Sequence, residues 1–226
     1  MTCPSCQRDP GTGPLCAGCG ALQPLPPALD AFTALGLKKT FFLDPKLVEE
    51  RFKELNRRLH PDRFAQRAAR ERRLSLEWTT AVNDAARTLK DPLRRASYLL
   101  KARGIDLDKE SGPGAMSRLP PDFLEEVLEI REGFAEARAA RDLERVRALA
   151  QKVEEQTRRV EAELRSAFER LESPHQGTAG GAASGRSIRL EREPLDQAAA
   201  AVAVLKYHAR FDEELEAFEL SMLEEG

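Results

Sequence analysis

Apolar residues recur along this chain at the spacing of helix faces, and no stretch alternates convincingly as a strand. Over Pro45 to Leu59 the apolar positions Val48, Phe52, Leu55 and Leu59 are four, three and four apart, one stripe of an amphipathic helix. Asp44 is placed to cap that helix, and Pro45 suits its first turn, where a missing N–H costs nothing. A shorter helix is expected from Ala28 to about Leu35, stopped by Gly36. A longer one is expected from about Ala68 to Lys90, with Leu74, Trp78, Val82, Ala85 and Leu89 facing inward. Asp91-Pro92 ends it, and a short helix bearing Tyr98, Leu99 and Leu100 runs to Gly104.

Beyond a stretch at 106–119 that contains Ser111-Gly112-Pro113-Gly114 and reads as a linker, helical patterning resumes. Three helices are expected, from about Asp122 to Ala139, Asp142 to Leu171 and Pro194 to Leu223. The Gly-, Ala- and Ser-rich stretch at 173–187 between the last two should be a flexible loop. Helices joined this way predict an antiparallel three-helix bundle. The first of them carries a full stripe of Phe123, Val127, Ile130 and Phe134, and Leu124 and Leu128 form a second apolar pair turned away from it. Such surplus is either wider core contact or a binding patch. On the last helix Val204, Phe211, Leu215 and Phe218 form a stripe with Tyr207 on its edge. The expected fold is all-α, with a small cysteine module at 1–24, a helical hairpin domain at 28–105 and the bundle at 120–226.

Charge adds little direction. The 226 residues carry 36 basic and 38 acidic side chains, so the net charge of −2 favours no polyanionic partner. No apolar run approaches the roughly 20 residues of a membrane helix. Met1-Thr2-Cys3-Pro4 has neither the basic nor the apolar part of a secretory signal, so a cytoplasmic protein is expected.

The cysteines change the picture. All four lie in two CxxC pairs, Cys3-Pro4-Ser5-Cys6 and Cys16-Ala17-Gly18-Cys19, with nine residues between them. That spacing suits a tetrahedral thiolate site like that of a zinc ribbon, with Gly18 and Gly20 letting the backbone fold beneath the metal. Zinc is the expected occupant, with iron or a cluster as the alternative. Disulfides would require an oxidising compartment, and a redox pair would want one CxxC at a helix start. Four thiolates leave no open coordination position, so the site should be structural.

The most specific chemistry is His60-Pro61-Asp62, where the helix of 45–59 ends. No serine or cysteine accompanies it as a nucleophile. It displays an imidazole and a carboxylate beside a basic helix face made by Lys53 and Arg57, flanked by Arg51 and Arg58, with Arg63 just after the turn. An ordinary hairpin, with His60 capping one helix and Asp62 the next, accounts for the proline. It accounts less well for the cationic face, which points to docking of a partner protein.

This arrangement resembles the J-domain of DnaJ-type co-chaperones. Asp30-Ala31-Phe32-Thr33-Ala34-Leu35-Gly36-Leu37, Arg51-Phe52, Leu55, Leu59 through Phe64, Val82-Asn83-Asp84-Ala85, Asp91-Pro92-Leu93-Arg94-Arg95-Ala96-Ser97-Tyr98-Leu99-Leu100 and Phe123 through Glu132 are similar to the HscB family, the J-proteins of iron–sulfur cluster assembly. The likeness spans roughly 28–223, and the cysteine module resembles an extension carried by some members. The resemblance implies that His60, Pro61, Asp62, Lys53, Arg57, Arg58 and Arg63 meet an HscA- or DnaK-type ATPase and stimulate its hydrolysis. It implies that Leu124, Leu128, Glu129, Glu132 and Tyr207 meet an IscU-type scaffold protein, although Glu125 stands where relatives often have an apolar residue. Cys3, Cys6, Cys16 and Cys19 would hold the metal.

Three other readings compete. A general J-protein would use the same turn for other clients, but the CxxCxGxG repeats of the DnaJ zinc domain are absent. A zinc-ribbon nucleic-acid binder is suggested by the basic run from Arg51 to Arg73, and opposed by a cysteine module whose one cation before Pro24 is Arg8. An enzyme has least support: there are three histidines (His60, His175 and His208), no Gly-rich phosphate loop follows a strand, and Glu213-Glu214 reads as a solvated helix face.

Overall fold

The computed structural model describes residues 2–107, 119, 121–173 and 185–224. Its helices are α1 (Ala31–Leu35), α2 (Pro45–Leu59), α3 (Ala69–Lys90), α4 (Pro92–Lys101), α5 (Pro121–Ala139), α6 (Leu143–Glu172) and α7 (Gly185–Glu224), with a 3-10 turn at Pro61–Phe64. Among the described residues the one β feature is an isolated antiparallel bridge between Leu15 and Leu22. The chain divides into two units, Met1–Arg95 and Ala96–Gly226. No helix among the described residues is long and apolar enough to cross a membrane.

In the first unit the caps decide where helices begin. The Asp30 carboxylate accepts the N–H groups of Phe32 and Thr33 at 2.9 and 3.3 Å, so α1 starts at Ala31, three residues later than its apolar pattern suggests. Gly36 closes α1 with φ of 64°, a conformation that glycine adopts without steric cost. Asp44 caps α2 through the Lys46 N–H at 2.9 Å. α2 packs on α3 with Val48 and Leu59 fully buried and Phe52 and Leu55 half-buried. All five expected inner residues of α3, including Trp78, are buried, and α1 adds Phe32 and Leu35 to that core. Arg95 is buried too: its Nη1 donates to the Leu89 carbonyl and its guanidinium lies 5.3 Å from the centre of the Phe41 ring.

In the second unit, Ile130, Phe134 and Ala137 of α5, Val146 and Val153 of α6, and Phe211 and Leu215 of α7 share one core. Phe134 meets Phe211 and Phe218 edge to face, with centroids 5.4 and 6.0 Å apart. Phe123 meets Tyr207 in the same way at 5.7 Å. His208 is buried, and its Nδ1 lies 2.8 Å from the Thr157 hydroxyl.

In this unit one boundary differs from expectation. α7 begins at Gly185, not at Pro194, so 185–187, assigned above to a loop, are helical. Pro194 removes one hydrogen bond from the helix interior, a local cost of about 3 kcal/mol, but it is itself buried and is followed by buried Ala198, Ala199, Ala201 and Val202. Packing of that apolar run offsets the break. Most of the expected linker at 106–119 and of the loop at 173–187 lies outside the described residues.

Candidate functional site

The His60-Pro61-Asp62 turn is fixed from behind. The last carbonyl of α2, on Leu59, accepts hydrogen bonds from the buried Ser75 hydroxyl at 2.6 Å and the Thr79 hydroxyl at 3.2 Å, both on α3. In front, the Asp62 N–H donates to His60 Nδ1 at 3.3 Å, and Asp62 Oδ2 lies 3.4 Å from the same nitrogen. The Arg63 N–H returns to the His60 carbonyl at 3.0 Å and closes the 3-10 turn. Asp62 does not cap α3, which starts at Ala69 behind Ala68 with no side-chain cap. Its side chain is 90% exposed and that of His60 51%. The turn therefore presents both groups to solvent, the imidazole capping the 3-10 turn through Nδ1 and the carboxylate capping no helix.

The cations around it are exposed, but several are paired within their own helix. Arg51 and Arg58 share Glu54 at 3.1 and 3.3 Å, and Lys53 meets Glu49 at 3.2 Å. Glu49 is also bridged by Lys90, and these two lysines hold its carboxyl below the usual range. Arg57 and Arg63 are exposed beside them. Exposed pairs like these contribute little stability.

The four cysteines converge. Cys3 and Cys19 sulfurs are 3.7 Å apart, as are those of Cys6 and Cys16, and all four Sγ atoms lie within 4.8 Å of one another. A tetrahedral ion with metal–sulfur bonds of about 2.3 Å has ligand edges of about 3.8 Å, so the residues fit. The two halves repeat the same backbone pattern thirteen residues apart. Cys3 N–H bonds to Arg8 O and Gln7 N–H to Cys3 O; Cys16 N–H bonds to Ala21 O and Gly20 N–H to Cys16 O, all at 2.8–2.9 Å. The equivalent corners, Gln7 and Gly20, both adopt positive φ, 59° and 73°. At Gly18 a Cβ would crowd the Arg8 guanidinium at 3.1 Å, and that guanidinium donates to the Gly18 carbonyl at 2.9 Å.

Local groups favour the thiolate at Cys3 and Cys6 and disfavour it at Cys19. Burial opposes ionisation of Cys3, but the N–H groups of Cys6 and Ser5 and the Cys16 and Cys19 sulfurs outweigh it and bring the thiol down to about 6. The Arg8 N–H lowers Cys6. At Cys19 the Ala21 N–H favours the thiolate, yet competition with Cys6, Cys3 and Cys16 pushes it up to about 12. One negative sulfur discourages the next, and a bound cation relieves that conflict by replacing the protons.

On the bundle, Leu128 is 63% exposed, Leu124 is half-buried, and Glu129 and Glu132 are exposed. Glu129 reaches Lys152 of α6 at 3.6 Å. Tyr207 is half-buried, against Phe123. Its hydroxyl accepts from Arg131 Nε at 2.9 Å, while Arg131 also grips Glu214 with both terminal nitrogens at 2.6 and 3.1 Å. Glu214 is thus not simply solvated.

Comparison with known proteins decides the family. The family described as the HSCB C-terminal oligomerisation domain matches residues 119–216. The Neisseria meningitidis co-chaperone protein HscB homolog is 35% identical over 139 residues, 62% of this chain and 81% of that protein. The chain belongs to the HscB co-chaperone family. The HscB homolog of Ralstonia nicotianae is 41% identical over 113 residues, half of this chain and 62% of that protein's length. The mouse iron–sulfur cluster co-chaperone protein HscB is 36% identical over 143 residues, spanning 62% of this chain and 59% of its own. The crystal structure of human HscB superimposes with a TM-score of 0.77 over 98% of this chain and all of that one, at 26% identity. HscB from Vibrio cholerae matches with a TM-score of 0.64 and 30% identity over 86% of this chain and 99% of its own.

Within this HscB fold the sequence pattern misses two positioning groups. Ser75 reads as a polar interruption on α3, and nothing local shows that it reaches Leu59, sixteen residues back. Ser75→Ala is expected to destabilise the hairpin by about 1 kcal/mol and to weaken any activity of the turn. Chemical denaturation checks the first effect; retention of full stability would show that Thr79 suffices. Arg131 is the second such group, because its partners Tyr207 and Glu214 are 76 and 83 residues away.

Proposed function

We propose that this HscB-family chain is a non-enzymatic, cytoplasmic co-chaperone of iron–sulfur cluster assembly. The His60-Pro61-Asp62 turn docks on an HscA- or DnaK-type ATPase, with Lys53, Arg57, Arg58 and Arg63 facing its acidic surface. The observation that carries this reading is a turn held through the Leu59 carbonyl while its imidazole and carboxylate stand in solvent. The turn performs no chemistry on ATP. It stimulates hydrolysis by binding the hydrolysis-competent state of the chaperone more tightly than the other state, which shifts that equilibrium. The surrounding cations steer association, so the effect weakens as salt rises.

The bundle, residues 120–226, takes an IscU-type scaffold on Leu124, Leu128, Glu129, Glu132 and Tyr207. Residues 28–105 act as the J-domain, and residues 1–24 as a module whose four cysteines hold structural zinc. Leu128 is mostly exposed, so its burial by a partner is worth up to about 1.5–3 kcal/mol. Leu128→Ala should therefore weaken scaffold affinity about tenfold while stability changes by less than about 0.5 kcal/mol. Calorimetric titration with the scaffold checks this, and unchanged affinity would remove Leu128 from the surface.

The direct test is steady-state ATP turnover by a purified HscA- or DnaK-type chaperone with this protein added, with and without scaffold. Stimulation that the scaffold amplifies supports the specialised role. Stimulation indifferent to the scaffold leaves a J-protein with another client, and no stimulation overturns the reading.

A further inference from the structure

Gln23 links the cysteine cluster to the helical hairpin. The residue is buried, and both its backbone and its side-chain nitrogen are engaged. Its backbone N–H donates to the Pro14 carbonyl at 2.8 Å. Its side-chain nitrogen donates to the Ala21 carbonyl at 2.8 Å and to the Cys3 sulfur at 3.5 Å. Its own carbonyl accepts the indole N–H of Trp78 at 2.8 Å. Trp78 is the one tryptophan of the chain, and it sits fully buried at the centre of α3. On the same helix, Ser75 and Thr79 hold the Leu59 carbonyl beneath the His60 turn.

These contacts form one continuous path: Cys3 sulfur, Gln23, Trp78, then the α3 segment that anchors the turn. An amide N–H to sulfur bond is strongest when the sulfur is an anionic thiolate, which is the state a bound metal enforces. Loss of the ion removes the constraint it places on both CxxC loops. The segment from Ala21 to Gln23 is tied to those loops by the bond from Cys16 N–H to the Ala21 carbonyl. It cannot relax without disturbing the acceptor of a buried indole. A buried N–H left without its acceptor is a costly defect in a hairpin core.

We propose that Gln23 is a positioning residue through which metal occupancy of the four-cysteine site is transmitted to α3, so that the loaded module buttresses the helical hairpin. The proposal rests on the reading of the cysteines as a metal site and not on the co-chaperone reading, so it can be tested without a chaperone. Coupling of this kind is reciprocal: the metal stabilises the hairpin, and the Trp78 contact strengthens metal retention.

The experiment uses the full chain loaded with one equivalent of zinc, under reducing conditions. Zinc is stripped by a chelator and then restored, while Trp78 emission and the unfolding midpoint are followed. Removal should shift the emission and lower the midpoint by more than about 5 °C, and both should return on reloading. Trp78→Phe keeps an aromatic ring in the core but deletes the indole N–H, so it should retain zinc about fivefold less well against a competing chelator. Gln23→Leu keeps the backbone carbonyl and deletes the bond to sulfur, so the emission difference between loaded and stripped protein should shrink by at least half. Emission and midpoint that stay constant through complete removal would overturn the coupling. So would unchanged zinc retention in Trp78→Phe, or an undiminished emission difference in Gln23→Leu. A chain that binds less than one equivalent of zinc would overturn the metal reading beneath it.

Discussion

Replacing His60 with glutamine is expected to abolish stimulation of the chaperone ATPase while leaving the fold and scaffold binding intact. His60 contributes little to its own unit: its side chain is about half exposed, and its hydrogen bond is to the Asp62 N–H two residues on. Glutamine has similar bulk and an amide oxygen that can take the same N–H. The position of the turn depends instead on the Leu59 carbonyl, held by Ser75 and Thr79, which the substitution does not touch. A loss of activity would therefore belong to the exposed imidazole. ATP turnover measures it, with far-UV circular dichroism and scaffold titration as controls. Undiminished stimulation by the variant would refute the docking role.

The largest stability effect is expected from Phe211→Ala. Phe211 has no exposed surface, meets Phe134 edge to face and lies nearly parallel to Tyr207 at 6.5 Å. Removing a buried ring loses its transfer free energy and leaves a void that three packed helices close only in part, a cost of about 3–5 kcal/mol. The Arg131 guanidinium also sits 5.4 Å from the centre of this ring, so truncation takes away the platform beneath an arginine that orients Tyr207. Scaffold affinity should fall along with stability. Denaturant unfolding checks the first effect, with Leu220→Ala as a control, since Leu220 is 61% exposed and should change stability by less than about 0.5 kcal/mol. A cost below about 1 kcal/mol for Phe211→Ala would mean that the bundle core is organised elsewhere.

What the sequence reveals here is mainly what is periodic or local. The stripe of Val48, Phe52, Leu55 and Leu59, the inner face of α3, the Asp44 cap, the Gly36 stop and the paired CxxC turns all follow from spacing within a few residues. The start of α1 is read three positions early because the apolar pattern precedes the true cap, Asp30. The start of α7 is read late because proline is normally a boundary, and only tertiary burial shows that Pro194 lies within a helix. Asp62 is placed as a helix cap by the ordinary hairpin reading, and the six residues between it and α3 remove it from that role. Side chains that hold the site from a distance leave no local trace. The Ser75 bond to Leu59, the Trp78 bond to Gln23 across 55 residues and the Arg131 bonds across 76 and 83 exist only once the chain has folded.

The bonds to the Leu59 carbonyl bear also on the thermodynamics of docking. A recognition loop that is mobile in solution loses conformational entropy when a partner immobilises it, about 0.5–1.5 kcal/mol for each ordered side chain. Here the backbone before His60 is already ordered by folding. Association then needs little induced fit, and the partner selects a shape that exists beforehand. Encounter rates should be set by diffusion and charge rather than by loop rearrangement, and the exposed arginines of α2 can vary without altering the geometry of the turn they surround.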